Sequence, residues 1–455
     1  MKILAILRKL HRDTTASVFF TGESAVDYLK RRKSDIIELV VQNLPLHEVA
    51  SYLRKHFPPR SIKENAFGIQ IFTDGALVLL RSPKEGQQNN PFASLKEDAA
   101  TVGLSVLALY VPIGGPRNKY FSFFGADKDL KDRKIHSIGK SVAAIKRNPS
   151  LILTIISLAI KYNYKPDGDL IRAIRKISYV INTVPISALQ SIITEIMLSR
   201  KPSKFLKLMQ ACGVLEQVLP ELTACIGIAQ QARYHKYDVF EHCLAACDAA
   251  PKQLDLKFAA LFHDVGKAPT KSYTVKEGSN VITFYNHEVA GAKIALHILK
   301  RLEYPKAFVT TVSELIYHHM YNYVSDKWSD AAVTRFIERA GITRDDLKDL
   351  SNHPLFLLRK ADRAASGRID VNKLSGAQIA LERKIHEKFD KESKLSITDL
   401  AVNGTILMET FHLQEGPTVG HVLKHLFTRV LENPDLNSKE ILIDEASKYL
   451  SAALK

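Results

Sequence analysis

The chain is short of cysteine and has no long apolar segment. It contains 4 cysteines in 455 residues. None has CxxC spacing, and Cys243 and Cys247 lie one helical turn apart in an apolar segment. This pattern excludes a zinc finger and indicates reduced core thiols in a cytoplasmic protein. The longest apolar run, residues 151–160, is interrupted by Thr154 and Ser157 and is too short to cross a bilayer, so no membrane partner is expected.

The marks of a targeting signal and of an internal repeat are also missing. The apolar N-terminal stretch has no small-residue cleavage site, and Arg8, Lys9 and Arg12 follow where a signal peptide would remain apolar. We therefore expect this stretch to begin a helix. A length of 455 residues is too great for a single core and predicts three or four domains.

Acidic residues are outnumbered by basic ones. The chain has 64 Lys and Arg against 48 Asp and Glu, which gives a formal net charge of +16 and a pI near 9.4. The proportions of hydrophobic residues (46%) and charged residues (25%) are those of an ordinary folded protein. The basic excess predicts a polyanionic partner such as RNA, because Lys and Arg neutralise phosphates and release counterions. A merely soluble basic surface is the alternative.

The first 140 residues have patterns of both strand and helix. β-branched and aromatic residues predict strands at 17–20, 36–41, 68–72 and 76–80, and apolar spacing predicts a helix over 46–57. Residues 84–91 are polar with Gly and Pro, which is typical of a loop. This part of the chain is therefore predicted to be an α+β unit with a mixed sheet.

From about residue 141 to the end, the apolar residues recur with helical period. Helices are predicted over 151–162, 169–181, 186–198, 203–211, 240–250, 254–262, 288–301, 307–317 and 330–339. The segment 382–394 is highly charged and is interpreted as a solvated helix or a linker. The sequence therefore predicts an all-α remainder.

Histidines are concentrated in one part of the helical region. Seven of the 16 lie between residues 235 and 319. They are His235, His242, His263, His287, His297, His318 and His319. Neutral imidazole together with nearby aspartates suits Mn, Fe, Co, Ni or Zn, so the cluster indicates a metal site. A lone histidine on an apolar helix is more often a core residue, an interpretation that we apply to His297, His353 and His425.

Five short motifs in this region follow one another in a recognisable order. They are 234–242 ending in His242, the His263-Asp264-Val265-Gly266-Lys267 signature, 284–288 around His287, 317–320 with the His318-His319 pair, and 359–365 around Asp362. With the order of the segments around them, they resemble the class II tRNA nucleotidyltransferases (CCA-adding enzymes) and bacterial poly(A) polymerases that have a C-terminal HD domain. The resemblance extends over nearly the whole chain.

The resemblance implies a domain order. It consists of an α+β nucleotidyltransferase-like head over 1–140, a helical neck and RNA-binding region over 141–230, an HD metal-dependent phosphohydrolase domain over 231–375, and a helical tail over 376–455. The tail resembles a tRNA-binding segment, because a Gly-Pro-x-x-Gly turn precedes a helix whose N-terminal amides could receive a phosphate. Lys424 and Arg429 add positive charge nearby. The alternative is a turn that only caps the helix.

The resemblance also implies a ligand set for divalent metal. The residues are His242, His263, Asp264, His287, His318 or His319, and Asp362. Such ligands come from separate helices, Asp264 can bridge two ions, and the water they acidify would attack a phosphoester, while Lys267 would neutralise a phosphate oxygen. Four of the ligands suffice for one ion, whereas His287 and the His318-His319 pair argue for a second. Mn, Ni, Co, Fe and Mg are the candidate metals.

In the head, the motifs that carry the family's transferase chemistry are degenerate. The Gly-Gly-x-x-Arg-Asp turn becomes Gly22, Glu23 and Val26, and the Asp-x-Asp pair that holds two Mg²⁺ ions becomes Ile36 and Glu38. Three arginines of the family's neck, which grip the triphosphate, are also replaced. Their places are taken by Leu151, Thr154 and Ser157.

A shifted register would make Asp35 the first carboxylate of the head. Asp35 and Glu38 are three residues apart, however, so on a strand they would point to opposite faces and could not share a metal pair. We therefore expect a non-catalytic head. The alternative is a transferase that uses Asp27, Asp35 and Glu38.

The leading interpretation is a cytoplasmic, metal-dependent HD phosphohydrolase on a tRNA-nucleotidyltransferase scaffold. Its expected substrates are phosphoesters of nucleotides or RNA ends, including 2′,3′-cyclic phosphates or 2′-nucleotides. Its expected partner is RNA, such as tRNA. Two alternatives remain open, namely a CCA-adding or poly(A) nucleotidyltransferase with atypical catalytic residues and a non-catalytic RNA-binding protein.

Overall fold

The computed structural model describes most of the chain in two compact units. The described residues are 2–56, 58, 61–66, 68–73, 75–83, 95–231, 236–276, 279–320, 328–367, 376–394 and 397–453. One unit comprises Met1–Ala224 with Ile298–Tyr304, and the other comprises Cys225–His297 with Pro305–Lys455. The loop predicted at 84–91 and the histidine at position 235 lie outside the described residues.

A seven-stranded mixed sheet forms the core of the first unit. Its strands are β1 (Ser17–Thr21), β2 (Ile36–Gln42), β3 (Ile62–Asn65), β4 (Gly68–Thr73), β5 (Ala76–Arg81), β6 (Leu109–Pro112) and β7 (Phe121–Ser122). The spatial order is β3-β4-β5-β2-β1-β6-β7. β2 and β5 pair in parallel, and the other neighbours are antiparallel. The four strands predicted from sequence are present in this sheet. β3, β6 and β7 were not predicted.

The described residues up to position 224 also form twelve α-helices around and after this sheet. They are α1 (Lys2–Asp13), α2 (Gly22–Leu29), α3 (Leu46–His56), α4 (Leu95–Thr101), α5 (Ala126–Asp132), α6 (Ser141–Arg147), α7 (Leu151–Tyr162), α8 (Gly168–Lys176), α9 (Ile186–Met197), α10 (Pro202–Ala211), α11 (Val214–Val218) and α12 (Pro220–Thr223). Two short strands, β8 (Lys134–Ile135) and β9 (Lys165–Pro166), pair in parallel between them. The helix predicted over 169–181 ends at Lys176, and a 3₁₀ helix over Ser178–Thr183 follows. β-branched and polar residues with low helix propensity make up most of that second segment.

Helices make up most of the remaining chain. They are α13 (Val239–Ala249), α14 (Leu254–Phe262), α15 (Lys267–Thr270), α16 (His287–Arg301), α17 (Lys306–His318), α18 (Asp330–Ala340), α19 (Pro354–Ala365), α20 (Gly376–Lys394), α21 (Gly404–Phe411), α22 (Pro417–Glu432) and α23 (Lys439–Ala453). α14 is the central one, because residues 256–262 are all buried and it packs against α13, α17 and α19. The tail has its own core, in which Leu407, Leu426 and Leu442 are fully buried.

The remainder is mostly helical, and it departs from the all-α expectation at two places, which are β9 and a hairpin in the second unit. Strands β10 (Ser272–Lys276) and β11 (Ser279–Thr283) form an antiparallel hairpin between α15 and α16. β10 alternates Tyr273 and Val275 with polar residues, a period of two that favours a strand, and β11 contains the β-branched residues Val281, Ile282 and Thr283. Tyr273 and Val275 on β10 are largely exposed.

The charged segment 382–394 is a helix with a buried side rather than a linker. It forms most of α20, and Leu381, Ile385 and Phe389 are buried at intervals of four residues. This spacing places them on one face of the helix, while the charged residues occupy the others. Because most residues of the segment are charged, its composition alone does not indicate this narrow apolar stripe.

Among the described residues, no single helix is long and apolar enough to cross a membrane. α6 and α7 pass the length and composition criteria only as a pair, and they are bent by 106° at the break between them.

A buried carboxylate ties three elements of the first unit together. Asp98 on α4 is fully buried, and Arg81 at the end of β5 donates to its two oxygens at 2.7 and 3.0 Å. The Tyr110 hydroxyl on β6 donates to Asp98 Oδ2 at 2.6 Å. Burial and the Asp98 carboxylate raise the pKa of Tyr110 well above its usual range, so the phenol remains a donor. A bidentate guanidinium pair of this kind offsets the cost of burying both charges.

We expect Asp98→Ala to destabilise the first unit by about 3–5 kcal/mol, because it leaves the Arg81 charge without its buried partner. Urea unfolding of the full chain, followed by circular dichroism, measures the effect. Asp35→Ala removes an exposed carboxylate of the same unit and serves as the control. Equal unfolding midpoints for the two variants would contradict this account of the triad.

Candidate metal centre

The first candidate ligand, His242, lies inside the core at the start of α13. The helix begins after Asp238, whose Oδ1 accepts from the Glu241 amide at 2.7 Å and whose Oδ2 accepts from the Gly227 amide at 2.8 Å. This cap satisfies helix N–H groups that would otherwise lack partners. His242 follows within the first turn and a half and is fully buried. The capped start therefore fixes the depth of its ring.

The His-Asp pair lies at the C-terminal end of α14, where the chain passes very close to α16. A Cβ at Gly266 would lie 2.0 Å from the carbonyl oxygen of His287 and 2.5 Å from the amide nitrogen of Gly291. Only glycine permits this approach. The glycine of the His-Asp-x-Gly-Lys signature therefore brings His263 and Asp264 close to His287.

Four imidazoles converge on the Asp264 carboxylate. Oδ2 lies 3.3 Å from Nε2 of both His242 and His263. Oδ1 lies 3.4 Å from His287 Nε2 and 3.9 Å from His319 Nε2. Each oxygen of one carboxylate therefore faces its own pair of histidines, and the two ligand sets share Asp264.

Asp362 on α19 completes the first of these sets. Its Oδ1 lies 3.1 Å from His242 Nε2 and 3.6 Å from His263 Nε2. Its Oδ2 accepts from Arg359 at 2.8 Å, which orients the carboxylate. Six of the seven candidate ligands thus meet in space, although they are separated by up to 120 positions along the chain.

The other ring nitrogen of three histidines is held by a backbone carbonyl. Nδ1 of His263 lies 2.9 Å from the Ala260 oxygen, Nδ1 of His287 lies 2.8 Å from the Phe284 oxygen, and Nδ1 of His319 lies 2.6 Å from the Ile316 oxygen. A carbonyl only accepts, so Nδ1 must be the donor in each ring. In the neutral ring Nε2 then carries a lone pair, which is the arrangement of metal-ligating histidines.

Divalent metal fits these ligands. In neutral rings, the Nε2 lone pairs of His287 and His319 face Asp264 Oδ1, and neither atom has a hydrogen-bond partner among the described residues. Lone pairs aimed at a buried carboxylate repel it unless a proton or a cation lies between them. The first set, His242 and His263 with Asp264 and Asp362, presents the same mixture of imidazole and carboxylate.

The pKa values of the cluster indicate that His263 carries a proton when no cation is bound. Burial disfavours a charged His263, but Asp264 and Asp362 outweigh it and raise the pKa of His263 to about 10. Burial and the neighbouring His263 lower the pKa of His319 to about 3. Burial opposes the charge on Asp264, yet His263 and Lys267 hold the pKa of its carboxyl well below the usual range. The two carboxylates are therefore paired with the His263 imidazolium.

Lys267 contacts a ligand directly. Its Nζ lies 2.6 Å from Asp264 Oδ2 and 2.7 Å from Gln230 Oε1, and the side chain is buried. It therefore orients Asp264 and neutralises part of its charge. The role expected for Lys267 at a substrate phosphate stays a prediction.

His318 is not part of the cluster, which corrects its inclusion among the candidate ligands. Consecutive residues of a helix point about 100° apart, so only one of two adjacent histidines can face the site. His319 does so, whereas His318 is half-buried beside Tyr317, with ring centroids 4.9 Å apart. Burial and Arg339 lower the pKa of His318.

The other histidines considered from sequence lie elsewhere. The interpretation of His297 as a core residue is wrong, because this side chain is exposed and its Nδ1 lies 3.0 Å from the Lys293 carbonyl oxygen. The Nδ1 atom of His353 accepts from the Leu355 amide at the start of α19. His425 stacks on Tyr449 in the tail.

The degenerate transferase residues of the head form no comparable group. Gly22 begins α2 with a φ of 59°, and a Cβ there would lie 3.0 Å from Glu38 Oε2. Asp35 and Glu38 are both exposed. Within the described part of the head, no three potential ligand atoms lie close enough together to hold an ion.

Asp27, the third carboxylate of the alternative transferase, is already engaged. It accepts from the Tyr162 hydroxyl at 2.7 Å and from Ser34, and Arg32 lies 3.9 Å away. Glu23 forms an ion pair with Lys161 at 2.8 Å. The head therefore uses these acidic side chains to bind its own helix α7.

The two basic residues of the tail differ in their surroundings. Lys424 is exposed on α22. Arg429 is half-buried, and its Nε lies 3.2 Å from Glu445 Oε2. Of the two, Lys424 is the better placed to meet a phosphate, and RNA binding by either remains a prediction.

Comparison with known proteins identifies two segments of the chain. Residues 233–392 match the family model "HD domain", and residues 163–226 match "Probable RNA and SrmB- binding site of polymerase A". The chain is 31% identical over 245 residues to a CC-adding tRNA nucleotidyltransferase of Thermus thermophilus, which covers 51% of this chain and 50% of that protein. It is 27% identical over 265 residues to a multifunctional CCA protein of Burkholderia mallei, which covers 56% and 62%. The chain thus matches about half the length of these curated relatives.

Solved structures show the same fold. The chain superposes on the CCA-adding enzyme of Bacillus stearothermophilus in complex with CTP with a TM-score of 0.56 at 14% identity, covering 99% of this chain and 98% of that one. For the Thermotoga maritima CCA-adding enzyme complexed with tRNA, the TM-score is 0.52 at 16% identity, with coverage of 99% and 95%. The resemblance and the fold class expected from sequence are confirmed. At the level of function, these names favour the nucleotidyltransferase alternative over the phosphohydrolase.

We expect the affinity of the cluster for Mn²⁺ or Ni²⁺ to rise with pH. With a pKa of about 10, His263 is protonated near neutral pH, and its Nε2 must lose that proton before it can coordinate an ion. Below that pKa, the apparent affinity rises about tenfold per unit increase in pH for each proton that the metal displaces. Calorimetric titrations at several pH values, in buffers of different ionisation enthalpy, measure both the affinity and the protons released. Binding that is independent of pH and releases no proton would contradict this description.

Proposed function

We propose that this chain, an HD-domain protein whose homologues are CCA-adding enzymes, is a metal-dependent phosphohydrolase acting on phosphoesters of nucleotides or RNA ends. One observation carries the proposal. The buried Asp264 carboxylate lies between two pairs of imidazoles whose Nε2 atoms all face it. Such an arrangement is costly to bury without a function that uses it.

The ligand set indicates which metals belong there. His242, His263, Asp264 and Asp362 would hold one ion, and Asp264, His287 and His319 a second. Imidazole ligands suit Fe, Co or Ni, and the carboxylates of the set suit Mn, whereas Mg prefers a shell made only of oxygen ligands, so Mg is the least suited of the metals considered. A bound divalent ion would supply Lewis-acid activation of water and charge neutralisation at a phosphoester.

The chain's own residues perform the remaining tasks. Lys267 and Arg359 orient the two carboxylates through hydrogen bonds of 2.6 and 2.8 Å. Backbone carbonyls hold three of the imidazoles in the tautomer that directs Nε2 inward. The burial of the ligands strengthens each of these interactions, because little water competes for them.

RNA is the proposed partner. The matched RNA-binding segment at 163–226, the net charge of +16 and the exposed Lys424 support it. tRNA, or another RNA with an accessible 3′ end, would bring a terminal phosphoester to a cytoplasmic enzyme of this kind.

A second candidate is a tRNA nucleotidyltransferase with atypical catalytic residues. The names of the relatives and of the solved structures favour it. Against it stand Asp27 and Glu23, whose carboxylates are engaged by Tyr162 and Lys161. A non-catalytic RNA-binding protein is the third possibility, and activity measurements separate all three.

We expect the purified full chain to hydrolyse a 2′,3′-cyclic nucleotide when Mn²⁺ or Ni²⁺ is supplied, and Asp264→Ala to reduce turnover to background. The variant removes the group that both ligand sets share. The control is Asp35→Ala in the head, which should retain full activity. A chain that binds metal yet turns over neither cyclic phosphodiesters nor 2′-nucleotides would refute the phosphohydrolase proposal.

We expect no extension of a tRNA that lacks its 3′ end when CTP, ATP and Mg²⁺ are supplied, because the described head assembles no carboxylate group for the ions. Product length on a denaturing gel gives the result, with an active CCA-adding enzyme as positive control. Extension that is abolished by Glu38→Ala would establish the second candidate instead.

A further inference from the structure

A cavity of about 350 Å³ lies beside the metal cluster and has no part in holding it. Its volume is within the range of small-molecule binding pockets. Its lining includes Glu288, Tyr317, His318, Trp328, Arg335 and Arg339. They come from the start of α16, the end of α17, and α18 with the segment just before it.

The cavity adjoins the second ligand set. Glu288 directly follows His287 in the chain, and His318 directly precedes His319. Consecutive Cα atoms are only about 3.8 Å apart. The cavity lining and the second ligand set are therefore neighbours along both segments.

Two arginines of α18 supply positive charge without a described counterion. Arg335 and Arg339 are four residues apart, so they lie one turn apart on the same face of the helix, and both are exposed. Neither guanidinium forms a hydrogen bond or an ion pair with a residue that the structure describes. Like charges at this spacing destabilise a helix. An anion between them would remove that penalty, and a phosphate matches the guanidinium geometry.

Aromatic rings supply the other half of the lining. The rings of Trp328 and Phe336 meet edge to face with centroids 5.5 Å apart, and Trp328 is half-buried. Tyr317 is 46% exposed, so its ring remains accessible. Exposed aromatic faces next to arginines are suited to stacking a nucleobase.

We propose that this cavity binds a nucleoside phosphate, with Arg335 and Arg339 on a phosphate group and Tyr317 and Trp328 on the base. Glu288 can accept hydrogen bonds from the ribose hydroxyls. That this nucleotide is part of the hydrolysed substrate rests on the proposed function. The binding of a nucleoside phosphate in the cavity does not depend on that function. Its source is either a free mononucleotide or the terminal nucleotide of an RNA.

The chain offers a specific probe, because it contains 1 tryptophan and Trp328 lines the cavity. We expect AMP, titrated into the full chain in EDTA, to change Trp328 fluorescence saturably. Adenosine lacks the phosphate and ribose 5-phosphate lacks the base, so each should bind more weakly than AMP. A short RNA with a terminal adenosine phosphate distinguishes the sources, since tighter binding than AMP indicates an RNA end and weaker binding indicates a free nucleotide.

The double variant Arg335→Gln/Arg339→Gln should weaken AMP binding about tenfold or more and leave adenosine binding unchanged. Arg335→Lys/Arg339→Lys should restore part of the affinity. The matched control is Arg383→Gln, which removes the same charge from an exposed position on α20. Circular dichroism of each variant confirms that it is folded. No saturable response to AMP, or equal AMP affinity in the double variant and the wild type, would overturn the proposal.

Failure of this inference is distinguishable from failure of the proposed function. Asp264→Ala should retain the AMP response while losing turnover. If the wild type binds AMP through the two arginines but hydrolyses no phosphoester, only the proposed function fails and the cavity assignment stands. If it hydrolyses a nucleotide phosphoester and the double variant leaves KM unchanged, the cavity assignment is refuted.

Discussion

The buried carboxylate of Asp264 is the constraint on which the second unit depends. A charge removed from water is costly unless cations or donors surround it, and here nearly every surrounding group meets that need. Lys267 donates to one oxygen, and four imidazoles present Nε2 to the two oxygens. The close approach at Gly266 and the backbone carbonyls that orient the rings serve the same arrangement. A proton on His263 compensates only part of the buried negative charge, so the cluster has the character of a cation site.

The head illustrates the opposite use of acidic side chains. Asp27 and Glu23 bind Tyr162 and Lys161 on α7, so their charges hold the head to its own following helix. Asp98 is neutralised by Arg81 in the same unit. The fold common to CCA-adding enzymes is thus retained, while Asp27, Glu23 and Asp98 have structural partners. The names of the relatives favour nucleotidyl transfer, whereas the geometry of this chain supports chemistry in the HD region.

Much of the fold and of the site could be predicted from the sequence, and the exceptions have physical causes. Apolar periodicity identifies the strands at residues 17–21 and 36–42 and most helices, and the order of the motifs identifies His242, His263, Asp264, His287 and Asp362. Periodicity cannot choose between His318 and His319, because that choice depends on which side of α17 packs inward. Of the hairpin, only β10 shows a period of two in the sequence, and this strand is short and lies within a helical region.

Other features depend on contacts between residues that are distant along the chain. The carbonyl bonds to Nδ1, the Asp98 triad and the cavity beside α18 arise only from packing. In the sequence, Arg335 and Arg339 have the helical spacing of an ordinary solvated face, and only the cavity indicates a role for them in ligand binding. The Gly266 contact with α16 is predictable in part. The His-Asp-x-Gly-Lys signature contains the glycine, but it does not show which segment packs against it.

Anomalous X-ray diffraction from crystals of the full chain grown with Mn²⁺ tests directly whether the cluster around Asp264 binds metal. Two anomalous peaks are expected, one beside each oxygen of Asp264, within coordination distance of the two histidine pairs. A cluster without any anomalous peak, in which Asp264 contacts only Lys267 and a protonated His263, would contradict metal binding at this cluster.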